Sequence, residues 1–291
     1  MRARAEATRS TSLTVDDVGR AGDIGATSHF DDPAYYDKAY KNRRDDVAFY
    51  VRLATESGGP VLEYGIGTGR VALEIARAGI DVTGVDLSAR MLLAFRKKLA
   101  GEASEVRRRV RLMRGDMRRV RLGRRFPLVI VPFNAILHLY DRRDMELFLE
   151  RVRKHLTRAG RLVFDFSLPR AENLGADPER RYGAPRFRYP GKRALVRYGE
   201  RFDYDPFRQV LLVNMEFAPE DGSPPWTVPL AHRQFFPQEM EALLHYNGFS
   251  DLRWSADFTD EPPGPETDFI VVNCGAARRL GAGPRGLRPR G

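Results

Sequence analysis

Cysteine is nearly missing from this sequence: Cys274 stands alone among 291 residues. One thiol excludes an internal disulfide and any cysteine-based zinc cluster. Its place in the apolar run 269–274 reads as burial of a small hydrophobe. No run of eighteen apolar residues occurs, which excludes a membrane-spanning helix. The opening Met1-Arg2-Ala3-Arg4-Ala5-Glu6 leads into a polar stretch without the apolar core of a secretory signal, so a cytoplasmic location is expected. Lysine is scarce as well, with six among the 49 basic residues, so the net charge of +10 is carried by arginine. Much of the excess lies at 107–125 and in the tail 278–290. Arginine-rich faces bind phosphates, which keeps a nucleic-acid partner among the alternatives, although such a run is more often a solvated surface.

What is present is enough apolar sequence for a real core, 42% of residues. Residues 1–28 lack sustained periodicity and read as a disordered arm, and 277–291 read as a disordered basic tail rich in Gly, Pro and Arg. One domain is expected over 29–276. Within 31–57 the apolar spacing predicts one or two amphipathic helices, with Tyr36 and Tyr40 on one face. After Ser57-Gly58-Gly59-Pro60, short apolar runs alternate with helical patterns. Strands are predicted at 61–64, 81–85, 110–113, 128–133 and 161–166, and helices at 70–78, 89–100 and 144–156. Such alternation is the mark of a doubly wound parallel sheet, whose strands are buried on both faces. From 169 the texture changes to period-two segments at 193–204, 209–218 and 226–236, separated by turn signals. A three-stranded antiparallel insert is expected at about 186–236. A helix at 237–246 and strands near 252–258 and 269–274 then complete an α/β, Rossmann-like sheet of about seven strands. The insert offers a surface for a homodimer.

The chemistry starts at Gly65-Ile66-Gly67-Thr68-Gly69-Arg70, between the first strand and its helix. Glycine there lets a ligand touch backbone. The position needing the third glycine of a dinucleotide fingerprint is Arg70, which departs from that pattern. Asp86 closes the second strand, where a carboxylate can accept from both ribose hydroxyls. Asp116, in Arg114-Gly115-Asp116-Met117, stands where an adenine would project, and a carboxylate accepts from an exocyclic amine. Glu63, two residues before the loop, can hold either the loop amides or a cofactor's ammonium group.

These residues together resemble the class I S-adenosylmethionine-dependent methyltransferases. The matching segments are Val61-Leu62-Glu63-Tyr64-Gly65-Ile66-Gly67-Thr68-Gly69, then Val82-Thr83-Gly84-Val85-Asp86-Leu87-Ser88-Ala89-Arg90-Met91-Leu92, then Gly115-Asp116-Met117. The resemblance implies S-adenosyl-L-methionine as cofactor, held by Tyr40, Glu63, Gly65, Gly67, Gly69, Asp86, Leu87, Asp116, Met117 and Phe133. Tyr36-Asp37-x-x-Tyr40 and Phe133-Asn134-Ala135-Ile136-Leu137-His138-Leu139 look like the subgroup that methylates nitrogen on amino sugars, amino acids and related amines. That implies a small-molecule amine as acceptor.

Methyl transfer from a sulfonium needs an in-line nucleophile in a site that excludes water, and no covalent catalysis. An amine or hydroxyl must lose its proton, and His138 beside the fourth strand is the candidate base, its plainer reading being a residue that packs after the strand. Tyr36 is the second catalytic candidate, placed to orient the nucleophile or simply to pack its helix. Asn134 and Arg233 are candidate substrate contacts, and alternation leaves open which of His232, Arg233 and Phe235 line the site. No carboxylate cluster suggests a metal. Two alternatives stand beside this reading. An RNA methyltransferase is favoured by charge, though the Asn/Asp-Pro-Pro-aromatic motif of base-amino enzymes is replaced by Asn134-Ala135-Ile136-Leu137. The other is a non-catalytic regulatory protein that binds the same cofactor.

Overall fold

In a computed structural model residues 28–277 are described, and the expected arm and basic tail lie almost wholly outside them, at 1–27 and 278–291. A 3-10 turn at Ser28–Asp31 leads into α1 (Pro33–Ala39) and α2 (Asp45–Ser57). Asp32 caps α1 by accepting from the amides of Ala34 and Tyr35, and Pro33 at the first helical position needs no donor partner. The alternating region then gives β1 (Val61–Tyr64), α3 (Ala72–Arg77), β2 (Val82–Asp86), α4 (Ala89–Ala100), α5 (Ser104–Arg109), β3 (Val110–Arg114), β4 (Phe126–Val131), α6 (Arg142–His155) and β5 (Leu156–Ser167). Ser88 caps α4 through the amide of Met91, as its position before the helix predicts.

A short α7 (Ala171–Leu174) follows, then β6 (Tyr182–Arg188), β7 (Leu195–Asp205), β8 (Val210–Pro219) and β9 (Trp226–Arg233), then α8 (Pro237–Tyr246), β10 (Phe249–Ala256) and β11 (Phe269–Ala276). Seven strands form one sheet in the order β10-β11-β5-β4-β1-β2-β3. Its core is parallel, and β11 runs antiparallel to both β5 and β10. Burial explains why the central strands read as unbroken apolar runs. Along β4, Phe126, Val129 and Val131 enter one core cluster while Leu128 and Ile130 enter the other, on the opposite face of the sheet. Cys274 is fully buried in β11, and burial pushes its thiol up to about 12.

Two differences from the sequence reading bear on the site. The antiparallel unit has four strands, in the order β6-β7-β8-β9, where three were expected. Its extra strand, β6, is mostly exposed and carries little apolar alternation to betray it. The fourth strand of the main sheet ends at Val131 and not at Phe133, because Phe133 and Asn134 turn the chain with φ of 61° and 60°. Two successive left-handed non-glycine residues are costly and need outside support.

Candidate functional site

The glycine loop leaves β1 with Gly65, Gly67 and Gly69 at φ of 68°, 56° and 79°. Packing accounts for Gly69, where a Cβ would lie 2.2 Å from the buried Phe95 ring. It does not account for Gly67, where a Cβ would meet nothing nearer than a backbone oxygen at 3.9 Å. That open side of the loop is where a ligand can approach backbone. Asp86 reaches back under it, its carboxylate accepting from the amides of Gly67 at 2.7 Å and Ser88 at 2.8 Å. Burial raises the Asp86 carboxyl and these amides oppose the shift. Each carboxylate oxygen keeps a second lone pair, so ribose hydroxyls can still be accepted there.

Glu63 is fully buried beside the loop and its Oε2 has no partner among the described residues. Burial pushes its carboxyl well up, against the pull of Arg70. An orphaned buried acceptor at this place fits the ammonium end of an amino-acid-bearing cofactor. Asp116 stands past β3 as expected but is engaged by Arg118, whose guanidinium donates to both carboxylate oxygens and to Asp144 at 2.6 Å. Burial would raise the Asp116 carboxyl, and the Arg118 contacts override it. Adenine recognition by that carboxylate therefore competes with a local ion pair. Beside it Leu87 is 53% exposed, an unsatisfied apolar surface next to Asp86 that a flat base would cover.

The first helix closes over this cradle. Thr68 donates its hydroxyl to Asp37 at 2.6 Å, and Lys98 donates to the same carboxylate oxygen at 2.7 Å. Tyr36 and Tyr40 thereby meet Phe133, with ring centroids 6.0 and 4.7 Å from it. Phe133 also lies under two guanidiniums, of Arg43 at 5.0 Å and Arg70 at 4.6 Å. Arg70 in turn is clamped by Asp46, donating to its two oxygens at 2.8 and 2.5 Å. The left-handed pair at 133–134 is held from below by buried Asp165, which accepts from the Phe133 amide at 2.8 Å, the Asn134 amide at 3.0 Å and the Tyr50 hydroxyl at 2.7 Å.

His138 ends the 3-10 turn Ala135–His138 and faces this aromatic group, 5.3 Å from Phe30 and 5.2 Å from His232 by ring centroid. Its tautomer follows from a chain of contacts. The Tyr140 hydroxyl donates to the Ala231 carbonyl at 3.0 Å, so at 3.2 Å from His138 its oxygen accepts, and Nδ1 carries the hydrogen. Nε2 then presents a lone pair. Burial, with a smaller contribution from His29, lowers His138 to about 4, so the ring is neutral near pH 7. His29 is also lowered to about 4 by burial and shares a 3.1 Å hydrogen bond between its Nε2 and the Tyr40 hydroxyl.

Ten of the predicted residues thus line the loop or its aromatic cover: Tyr36, Tyr40, Glu63, Gly65, Gly67, Gly69, Asp86, Leu87, Phe133 and His138. Met117 packs partly buried against the core just past Asp116. Asn134 sits at the site, but its side-chain oxygen accepts from the Ser167 amide at 2.7 Å, which makes it a clamp between the turn and β5. Arg233 is drawn away from the cluster. It donates to the Gln234 carbonyl and the Glu239 carboxylate and stacks on Phe235 at 4.7 Å, while its neighbour His232 points at His138. The alternation of β9 decides this, because adjacent side chains take opposite faces. His29, Asp46 and Asp165 escaped the sequence reading. Asp165 alone carried a signal, a lone carboxylate inside the apolar run 161–166. The basic run 107–125 contributes instead to a cavity of about 390 Å³, lined by Arg121, Arg124, Arg125, Arg151 and Lys154. It lies at the N-terminal ends of β4 and β5, at the opposite end of the strands from the glycine loop.

Residues 61–160 match the family described as a methyltransferase domain. Over 128 residues the chain is 31% identical to the dTDP-3-amino-3,6-dideoxy-alpha-D-glucopyranose N,N-dimethyltransferase of Streptomyces fradiae, covering 44% of this chain and 47% of that protein. The chain spans about half the length of the curated relatives it matches. Its fold is shared by the CcbJ methyltransferase of Streptomyces caelestis, with a TM-score of 0.73 over 87% of this chain and 99% of that one, at 24% identity. The glycopeptide N-methyltransferase MtfA, solved with S-adenosyl-L-methionine, is 26% identical with a TM-score of 0.56, covering 79% of this chain and 86% of that one. Among the described residues no helix is long and apolar enough to cross a membrane.

Proposed function

We propose that this chain, which carries the domain and fold of the class I S-adenosylmethionine-dependent methyltransferases, moves a methyl group from that cofactor to the nitrogen of a small-molecule amine. The observation that carries the reading is a pair of half-sites joined by the rings of Phe30, Tyr36 and Phe133: a glycine cradle closed by Asp86, and the Nε2 lone pair of a neutral His138. When bound, the cofactor supplies an electrophilic methyl group on a sulfonium. The chain's own residues bind, orient and deprotonate. Asp86 would hold the ribose hydroxyls and Glu63 the ammonium end, its unpartnered Oε2 gaining the donor it lacks. Tyr36, Tyr40 and Phe133 form a wall that excludes water and limits the approach to one direction. An acceptor that arrives as an ammonium ion has no lone pair to attack with. His138 Nε2 takes that proton, and Tyr140 keeps the ring in the tautomer that allows it.

The relatives named for N-methylation of an amino sugar and of a glycopeptide support nitrogen as the atom and a small molecule or peptide-sized ligand as the acceptor. The test has two parts. Titration calorimetry with S-adenosylhomocysteine is expected to show binding that Asp86→Ala abolishes. Incubation with labelled cofactor and a panel of amino sugars and amino acids is expected to give cofactor loss dependent on the amine. Equal affinity in the Asp86 variant would sink the cofactor assignment, and cofactor loss equally supported by hydroxyl analogues would sink the assignment of nitrogen.

A further inference from the structure

The inner face of the second sheet reaches His138 through His232 of β9, and one residue on that face does not belong with the others. Alternation and register place Tyr198, Glu200, Phe202 and Tyr204 of β7 on it, with Leu211, Val213, Met215 and Phe217 of β8 opposite. The apolar residues of the face form a core cluster together with Tyr35 of α1. Glu200 is its one carboxylate. It pairs across the strands with Tyr182 on one side and Met215 on the other, and it lies two residues from Tyr198 and from Phe202. The Tyr198 hydroxyl donates to it. Tyr35 of α1 packs on this face, next to Tyr36, which with Tyr40 covers Phe133.

The missing partner is informative. The chain has 49 basic residues and a net charge of +10, yet no basic side chain pairs with Glu200 among the described residues. The neighbouring cation, Arg180, stacks on the Tyr182 ring at 5.0 Å and forms no ion pair among the described residues. On the outer face of the same strands the rule is the opposite, since Glu216 is met by both Arg181 and Arg201. A half-buried carboxylate among aromatic rings, with only a hydroxyl for company, costs free energy unless a cation meets it. Ring faces and a carboxylate together select an organic cation over an uncharged donor, because the rings add attraction for charge that a hydroxyl cannot use.

We infer that Glu200 and the rings of Tyr198 and Phe202 form the recognition site for a positively charged amine on the methyl acceptor, making the acceptor an organic cation. This rests on the function proposed above, in which the acceptor amine lies beside His138. Glu200 holds the charged group on the inner face of the second sheet and takes no part in proton removal.

The experiment uses the full chain loaded with S-adenosylhomocysteine. Two probes are titrated in, choline and its uncharged carbon isostere, in which a tert-butyl group replaces the trimethylammonium. Saturable binding of choline is expected, on the order of tenfold tighter than of the isostere. Glu200→Gln should weaken choline by a similar factor and Glu200→Asp by less, with S-adenosylhomocysteine affinity unchanged in both. No saturable choline binding to the wild type, equal binding of the two probes, or equal choline binding in Glu200→Gln overturns the inference. The comparison of probes on the wild type stands even where the variant fails to fold. Failure to bind S-adenosylhomocysteine in the wild type would strike the function proposed above, whereas its binding without choline strikes the Glu200 site alone.

Discussion

Asp165 offers the sharpest test of how the site is held. Its side chain is buried completely in β5 and supports the turn at Phe133 and Asn134, which no glycine relieves. Replacement by alanine would orphan three donors at once: the amides of Phe133 and Asn134 and the Tyr50 hydroxyl. At roughly 1–2 kcal/mol for each buried unsatisfied donor, Asp165→Ala should cost about 3–6 kcal/mol, a large share of a typical stability of about 5–15 kcal/mol. Asparagine behaves differently. Burial raises the Asp165 carboxyl to about 6, with the three hydrogen bonds opposing it. A rise from 3.8 to about 6 makes the charged form less stable in the fold than in the unfolded chain, by about 3 kcal/mol near neutral pH. Asp165→Asn removes that penalty while it loses one acceptor, so its stability should stay within about 2 kcal/mol of wild type.

The pH dependence follows from the sign. With the folded value raised, the favourable contribution of Asp165 is complete below 3.8 and is lost as pH rises through about 6. Wild type should therefore gain on Asp165→Asn when urea unfolding is moved from about pH 7 to about pH 5. A loss under about 1 kcal/mol in the alanine variant, or a wild-type to asparagine difference indifferent to pH, would refute the reasoning.

Three further outcomes are expected. His138→Ala should lower turnover on a responsive amine by about 10²–10⁴ while leaving S-adenosylhomocysteine affinity within about threefold, and wild-type turnover would leave the histidine as scaffold. Because burial lowers His138 to about 4, its protonation should contribute an acid limb to kcat near that value and none between about pH 6 and 8, which a rate profile checks. The glycines should separate by readout: Gly69→Ala, driven into Phe95 at a φ of 79°, should cost about 2–4 kcal/mol in a thermal melt, whereas Gly67→Arg should keep most of its stability and lose cofactor binding.

The α/β order of elements, the glycine loop and the acids at the next two strand ends are all readable along the chain. These are local facts. A buried parallel strand must be an unbroken apolar run, and a loop that touches a ligand with backbone must carry glycine at defined places, so Val61-Leu62 and Gly65, Gly67 and Gly69 are legible without coordinates. The sequence also singled out Tyr36, Tyr40 and His138, though not what they meet. Tertiary structure decided the rest, because those properties belong to pairs far apart in the chain. Only folding brings His29 to Tyr40, Asp46 to Arg70, and Asp165 to Phe133. Only the register of β9 turns His232 toward His138 and Arg233 away. The protonation state of His138 belongs to neither neighbour nor motif: it is set by burial under the second sheet and by a tyrosine whose own hydrogen is spent on a carbonyl of β9.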